Sequence, residues 1–146
     1  MLYLGRRSFL IGSAALVLLS GACGSDETAP AVEDHTPASY QVFINDIQVT
    51  APFTFTSGQT VRVRLKFFNA ASEDLDEVEG SHFGGLTFDP PSLATATRVA
   101  DHHYQFDVTG EAVGSGTMTV GFGHDDAADE TTFPPADVNV TGIPGP

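Results

Sequence analysis

The sequence predicts an all-β fold: an antiparallel β-sandwich of about 7–9 strands that follows a cleaved signal and a flexible tether. Two observations predict the sandwich. Short runs of apolar residues alternate with polar ones, and turn-forming residues separate these runs throughout residues 39–142. A third observation concerns the first 23 residues, where a basic start, a short apolar run and a small-residue site succeed one another. That order is typical of an export signal.

The amino-terminal residues contain each part of such a signal. Arg6 and Arg7 precede an apolar run at residues 11–19, and the run ends in Ser20-Gly21-Ala22-Cys23. The run is shorter than the roughly 20 residues that a membrane-spanning helix needs. A buried amino-terminal helix is the alternative, but the stretch after residue 23 is rich in Ser, Thr, Pro and acids and offers it nothing to pack against.

Two resemblances sharpen this prediction. Arg6-Arg7, followed one residue later by Phe9-Leu10, resembles the twin-arginine signal, which is read by an export system known for carrying folded proteins. Cys23, placed directly after small residues, resembles the acceptor of a bacterial lipoprotein signal. These resemblances imply cleavage after residue 22, a lipid on Cys23 and a membrane anchor at the cell envelope, on its periplasmic or outer surface.

Composition limits what the exported chain can do. Without residues 1–22, 124 residues remain, which is enough for one domain. The net charge changes from −13 to −15 because Arg6 and Arg7 leave with the signal, and such an acidic surface excludes nucleic acid as a partner. The sequence contains no nucleophile elbow, phosphate-binding glycine loop or His-Glu-x-x-His motif, so we expect that the protein is not an enzyme.

The chain divides into a signal at 1–22, a lipidated cysteine and tether at 23–38, a sandwich domain at 39–142 and a tail at 143–146. The tether is rich in Pro, Ser, Thr and acids, and His35 within it is expected to be solvated.

The predicted strands begin at Tyr40. Asn45-Asp46 lies between apolar residues and suits a tight hairpin turn, although a single bulged strand is an alternative. The clearest strand is 61–67, in which Val and Leu alternate with Arg and Lys up to Phe67. Further strands are expected around Phe53 and Phe55, Leu86 and Phe88, residues 94–99, Tyr104 to Val108, Met118 to Phe122, and Val138 and Val140.

The run from Gly58-Gln59-Thr60 into residues 61–67, and the later run from Gly114 to Val120, resemble the sequence rhythm of bacterial immunoglobulin-like domains on cell-surface proteins. The resemblance implies an immunoglobulin-like sandwich over residues 39–142. It implies no particular activity, because such domains share a fold and not a function.

Histidines stand at the ends of three predicted strands. His82 has the sequence parity of Leu86, and His102 and His124 likewise share the parity of buried residues in their own strands. Because consecutive antiparallel strands reverse direction, we expect His82, His102, His103 and His124 to gather at one end of the sandwich.

Carboxylates are expected at the same end. Asp101, Asp125 and Asp126 lie in loops beside these histidines, and residues 69–81 form a further acidic loop. Imidazoles among carboxylates suit Zn²⁺ or Cu²⁺, with the acids orienting the rings. A Ca²⁺ site built from the acidic loops alone is an alternative, and it would need six to eight oxygen ligands.

The sequence therefore predicts a binding module of the cell envelope that captures or buffers a divalent metal through these histidines. The alternative is a structural or adhesion-type module whose loops bind a protein partner at the cell surface, with no metal. In that case the acidic residues serve only solubility.

Overall fold

The computed structural model describes residues 35–75, 82–124, 128 and 130–145, and these form eleven β-strands in two sheets. The predicted signal, Cys23 and most of the tether lie outside the described residues, as do Asp125 and Asp126. Within the described ranges, no helix has the length and apolar character needed to cross a membrane.

The first sheet, sheet A, has the strand order β2-β1-β4-β8-β7, with β5 paired to β4 beyond the end of β8. Its strands are β1 (Ser39–Ile44), β2 (Ile47–Val49), β4 (Thr60–Phe68), β5 (Asp74–Leu75), β7 (Ala94–Arg98) and β8 (Gln105–Gly110). All pairings in this sheet are antiparallel.

The second sheet, sheet B, is built around the long strand β9, which pairs with β6 on one side and with β10 and β11 on the other. Its strands are β3 (Phe53–Thr56), β6 (His82–Asp89), β9 (Gly114–His124), β10 (Thr131–Thr132) and β11 (Ala136–Thr141). β3 pairs with β11 in parallel, whereas the other strands of this sheet pair antiparallel. The all-β sandwich itself is confirmed, with more strands than expected because β5 and β10 contain two residues each.

The Asn45-Asp46 turn forms the predicted hairpin between β1 and β2. Asn45 and Asp46 have φ values of 49° and 65°, and Ile44 pairs with Ile47 across the turn. Both positive φ values are those of the hairpin turn whose twist matches the flanking strands, and Asn and Asp tolerate them better than most residues.

The core lies between the sheets and is rich in aromatic side chains. Phe67 lies at its centre, with ring centroids 5.0 Å from Tyr104 and 5.1 Å from Phe122. Its fully buried side chains, each less than 2 % exposed, include Val63, Leu65, Phe67, Val108, Met118, Val120, Phe122, Val138 and Val140. These residues occupy alternate strand positions, as one buried face requires.

The basic residues of β4 face outward and pair with acidic neighbours in sheet A. Arg62 Nε lies 2.8 Å from Asp107 Oδ1, Lys66 pairs with Asp74, and Arg64 approaches Asp46. These are ordinary surface ion pairs of small energetic value.

One end of the sandwich contains His82, His103 and His124, and we call it the histidine end. β4 finishes there at Phe68, β6 begins there at His82, and β9 finishes there at His124. His82 and His124 are paired directly across the two strands of sheet B. β1 also begins at this end, because Ala38 N donates to Phe68 O over 2.7 Å.

Candidate functional site

His82 is a buried polar residue at the histidine end. It occupies an inward position of β6, two residues before Gly84 and four before the core residue Leu86, and its side chain is 2 % exposed. Its ring centroid lies 5.3 Å from that of Phe122, so the imidazole continues the aromatic core. Placing a polar ring there costs free energy unless its nitrogens are engaged.

His124 lies directly opposite His82. The two ring centroids are 4.8 Å apart and the ring planes meet at 68°. His124 is less buried than His82, because it is the last residue of β9. Parity and strand direction predicted that both residues lie at one end of the sandwich, but they did not predict that the two strands pair with each other.

His35 approaches His82 from the segment that precedes β1. Its ring centroid lies 5.0 Å from that of His82, and the residue is half-buried. We expected His35 to be solvated in the tether, and the structure instead places it against the cluster. The signal that could have found it is strand direction: β1 runs antiparallel to β4, so residues just before β1 lie where β4 ends.

Glu130 holds the ring of His124. Its Oε2 lies 2.6 Å from His124 Nδ1, a short hydrogen bond between a carboxylate and an imidazole. A carboxylate accepts and does not donate when it is ionised, so the proton lies on Nδ1. That assignment leaves Nε2 of a neutral His124 ring with its lone pair available.

The segment that carries Glu130 packs on a glycine surface. Gly85 and Gly121 pair with each other across β6 and β9, on the outer face of sheet B. A Cβ atom on Gly121 would lie 2.1 Å from the carbonyl oxygen of Ala128, and one on Gly85 would lie 2.8 Å from Ala128 Cβ. Only glycine allows this close approach, which brings the chain back toward His124 two residues later.

His103 lies beside the backbone of His82 and not in the row of rings. Its Nδ1 donates to His82 O over 3.1 Å, and its ring stacks on Phe83 at a centroid distance of 4.2 Å. Gly84 N in turn donates to His103 O over 3.0 Å. His103 therefore covers the open edge of β6.

His102 and Asp101 lie in the turn before β8. Both are exposed, Asp101 has a φ of 62°, and His102 Nδ1 lies 3.2 Å from Gln105 Nε2. We expected His102 to continue the buried face of β8, but that strand begins only at Gln105, so alternation does not extend back to it. The structure does not bring these two residues into the ring cluster.

The acidic loop at 69–81 is described only as far as Leu75. In that part, Asn69 Nδ2 donates to Glu73 Oε2 over 2.8 Å, and Asp74 pairs with Lys66. Both carboxylates are thus engaged by protein groups. The rest of this loop, together with Asp125 and Asp126, lies outside the described residues.

The rings as they stand do not form a complete metal centre. Among the described residues, no group of three or more His, Cys, Asp or Glu side chains is arranged to hold a metal ion. The neighbouring rings have centroids 4.8 and 5.0 Å apart, which is also an ordinary distance for ring pairs in contact. Two imidazoles that bind one tetrahedral Zn²⁺ through Zn–N bonds of about 2.0–2.1 Å have ring centroids about 5 Å apart.

Comparison with known proteins shows little similarity. No protein-family model matches the sequence, and no curated protein matches it. Among solved structures, the chain is similar to domains 4 and 5 of the S-layer protein SbsC, with 17 % sequence identity and a TM-score of 0.47. The match covers 73 % of this chain and 47 % of that one, so this chain spans about half the length of the structure it matches.

Proposed function

We propose that this protein is a binding module of the cell envelope that captures a divalent transition metal, Zn²⁺ or Cu²⁺, with the imidazoles of His82 and His124. Of the site residues that the sequence predicts, only His82 and His124 are assigned as metal ligands. His103 supports the backbone of His82, and His102 and Asp101 have no part in it.

The observation that carries the proposal is the bond between His124 Nδ1 and Glu130 Oε2 beside the buried ring of His82. A histidine that binds a metal almost always donates its other ring N–H to a carboxylate, a backbone carbonyl or water, and this bond fixes the tautomer. Glu130 thus prepares His124 to use Nε2 as a ligand.

The pair needs only small movements to bind a cation together. The ring centroids of His82 and His124 are 4.8 Å apart, close to the spacing at a shared metal. The χ2 torsion of histidine has a broad energy profile, so small rotations that keep the bond between His124 Nδ1 and Glu130 are inexpensive and need no backbone change. Neutral imidazoles suit borderline cations, and the general order of affinities favours Cu²⁺ over Zn²⁺.

The envelope part of the proposal rests on the sequence. Arg6-Arg7 with Phe9-Leu10 supports export, and Cys23 supports lipidation. The chain contains one cysteine, which the lipid would occupy, and 2 methionines, so it has few of the soft ligands that Cu(I) prefers.

Calorimetric titration of the full-length chain in detergent tests metal binding. Zn²⁺ and Cu²⁺ should bind near one equivalent, and His124→Ala should abolish binding, whereas His102→Ala should not change it. Glu130→Gln should weaken binding by about 10–100-fold, the usual cost of losing such a supporting group. Absence of Zn²⁺ and Cu²⁺ binding would contradict the proposal and favour a protein partner, and binding of Ca²⁺ alone would move the site to the acidic loops.

Fractionation of a bacterial host tests the anchor separately. We expect the wild-type protein in the membrane fraction, with a mass that shows cleavage before Cys23 and an added lipid. Cys23→Ser should release the protein from membranes, and Arg6→Lys with Arg7→Lys should retain it in the cytoplasm. A wild-type chain found unmodified in the cytoplasm would refute the export prediction.

A further inference from the structure

The sequence contains one Asn-x-Ser/Thr tripeptide, Asn139-Val140-Thr141, and it lies in β11. Such a tripeptide, with any residue but proline in the middle, is the acceptor sequence for N-linked glycans on exported proteins. The two other asparagines, Asn45 and Asn69, have no serine or threonine two residues later. Asn139 is therefore the one asparagine of this chain that carries the acceptor sequence.

The strand β11 directs both reactive side chains of the tripeptide away from the core. Val138 and Val140 are buried, at 0 % and 1 % exposure, so Asn139 and Thr141 face the outer side of sheet B. Asn139 is half-buried and Thr141 is exposed. The acceptor amide and the hydroxyl thus lie on the same face of the folded protein.

The amide of Asn139 is oriented with its nitrogen available. Ser115 pairs with Asn139 across β9 and β11, and its Oγ donates to Asn139 Oδ1 over 2.7 Å. Nδ2, the atom that carries an N-linked glycan, makes no hydrogen bond to any residue that the structure describes. A glycan on Nδ2 leaves the bond from Ser115 intact, because the linkage keeps the amide carbonyl.

The residues across the strands from Asn139 are small and uncharged. Its direct neighbours are Thr54 on β3 and Ser115 on β9, and both are exposed. Thr117 lies on the same face of β9, two residues after Ser115. Short hydroxyl side chains leave room for a sugar ring over the sheet and offer hydrogen-bond partners to its hydroxyl groups.

We propose that Asn139 is an N-glycosylation site, and that its glycan covers this part of the outer face of sheet B. The donor is a lipid-linked oligosaccharide whose first sugar is joined to the lipid through a phosphate, and a membrane-bound transferase moves the glycan. The bond between sugar C1 and the phosphate oxygen breaks, and the oxygen leaves with the electron pair. C1 bonds to Asn139 Nδ2, which loses one proton to a base of the transferase, so nothing is oxidised or reduced.

The glycan and the proposed metal site lie far apart. Asn139 is paired with Ser115, near the start of β9, whereas His124 ends that strand. Residues 115–124 of an extended strand span about 30 Å. Glycosylation therefore leaves the histidine end open. It goes beyond the proposed function and shares with it only the predicted export.

Site mapping by mass spectrometry tests the proposal. The full-length chain is produced in a bacterial host that glycosylates exported proteins, together with a reporter glycoprotein, and it is purified from the membrane fraction. We expect a glycan on the Asn139 peptide of the wild type, and its complete loss in Asn139→Gln and in Thr141→Ala. Thr141→Ser is the matched control, because it keeps the hydroxyl and should retain the glycan.

Three outcomes would contradict the expected result. A wild-type chain that is cleaved before Cys23 but carries no glycan, while the reporter is glycosylated, would overturn the proposal and leave export and the metal site intact. A glycan that persists in Asn139→Gln would also overturn it, because the glycan would then lie on another residue. A wild-type chain found uncleaved in the cytoplasm would refute export, and glycosylation with it.

Discussion

Gly121 and Ala128 approach each other so closely that a Cβ atom on Gly121 would lie 2.1 Å from the carbonyl oxygen of Ala128. Gly121 lies on the outer face of β9, and Ala128 precedes by two residues the glutamate that binds His124. Because Gly121 has no side chain, the segment at Ala128 can pack against β9, and this packing sets the position of Glu130 at the histidine end.

Gly121→Ala should therefore displace the segment at Ala128. We expect the free energy of unfolding to fall by about 1–3 kcal/mol, as in other overpacked sites, and the Zn²⁺ affinity to fall because Glu130 moves with the segment. Thermal unfolding and calorimetry measure the two effects. Gly145→Ala is the control, because a Cβ atom there meets nothing within 4 Å. Equal behaviour of the two variants would show that the contact does not constrain the segment.

Arg98 joins the edges of the two sheets. It lies at the end of β7 in sheet A, its Nη2 donates to Gly84 O in sheet B over 3.1 Å, and its guanidinium lies 5.0 Å from the ring of Phe83. Arg98→Ala should lower the free energy of unfolding by about 1–3 kcal/mol, because a partly buried carbonyl loses its donor.

The matched control for Arg98 is Arg62→Ala. Arg62 pairs with Asp107 on the surface, where both side chains are nearly half exposed, so its removal should cost less than about 1 kcal/mol. Chemical denaturation compares the two. If Arg62→Ala and Arg98→Ala lower the free energy of unfolding equally, the bond between the sheet edges contributes no more than a surface ion pair.

Asp46 is the second residue of the β1–β2 turn and has a φ of 65°. Asp46→Val should reduce stability by roughly 1–3 kcal/mol, because a β-branched residue is strained in this conformation. Asp46→Gly should be tolerated, since glycine adopts positive φ freely. Both variants remove the ion pair between Arg64 Nε and Asp46 Oδ1, whose atoms are 3.8 Å apart. A difference between their thermal unfolding therefore measures backbone strain alone. Equal losses would assign the effect to the pair.

The burial of the Tyr40 hydroxyl predicts a loss of stability at alkaline pH. Desolvation by burial raises the pKa of the Tyr40 hydroxyl above its ordinary value of about 10. Between the ordinary pKa and the raised folded-state pKa, the unfolded chain binds fewer protons than the folded chain, so the free energy of unfolding falls as pH rises. Tyr40→Phe should make this alkaline decline shallower. Identical pH profiles for the two proteins would contradict the prediction.

Much of the fold could be predicted because one-sided burial leaves a period of two in the sequence. Val63, Leu65 and Phe67 are all buried, and their alternation with basic residues identified β4 directly. β5 and β10 could not be identified in this way, because two residues show no period. The parallel pairing of β3 with β11 could not be predicted either, because the alternation of apolar and polar residues identifies a strand but not the strand it pairs with.

The candidate site was predictable to the extent that strands position it. Parity and strand direction together predicted that His82 and His124 lie at one end of the sandwich, and the pairing of β6 with β9 then sets them directly opposite each other. The same argument failed for His102, because the chain turns at residues 100–104 and does not continue β8. His35 was missed because the composition around it predicts a tether, and Glu130 was not distinguished from its acidic neighbours in the loop after β9.

The parallel pairing of β11 has a consequence for biosynthesis. β11 lies between β9 and β3, with Val138 paired to Gly116 on one side and to Phe53 on the other. During translation, β3 is made early but gains this neighbour only after residues 136–141 have been added. Such long-range pairing is slow to form, and an unpaired strand edge promotes aggregation until it is covered. Among the described strands, β11 is synthesised last, and it is the one that joins β3 to the rest of sheet B.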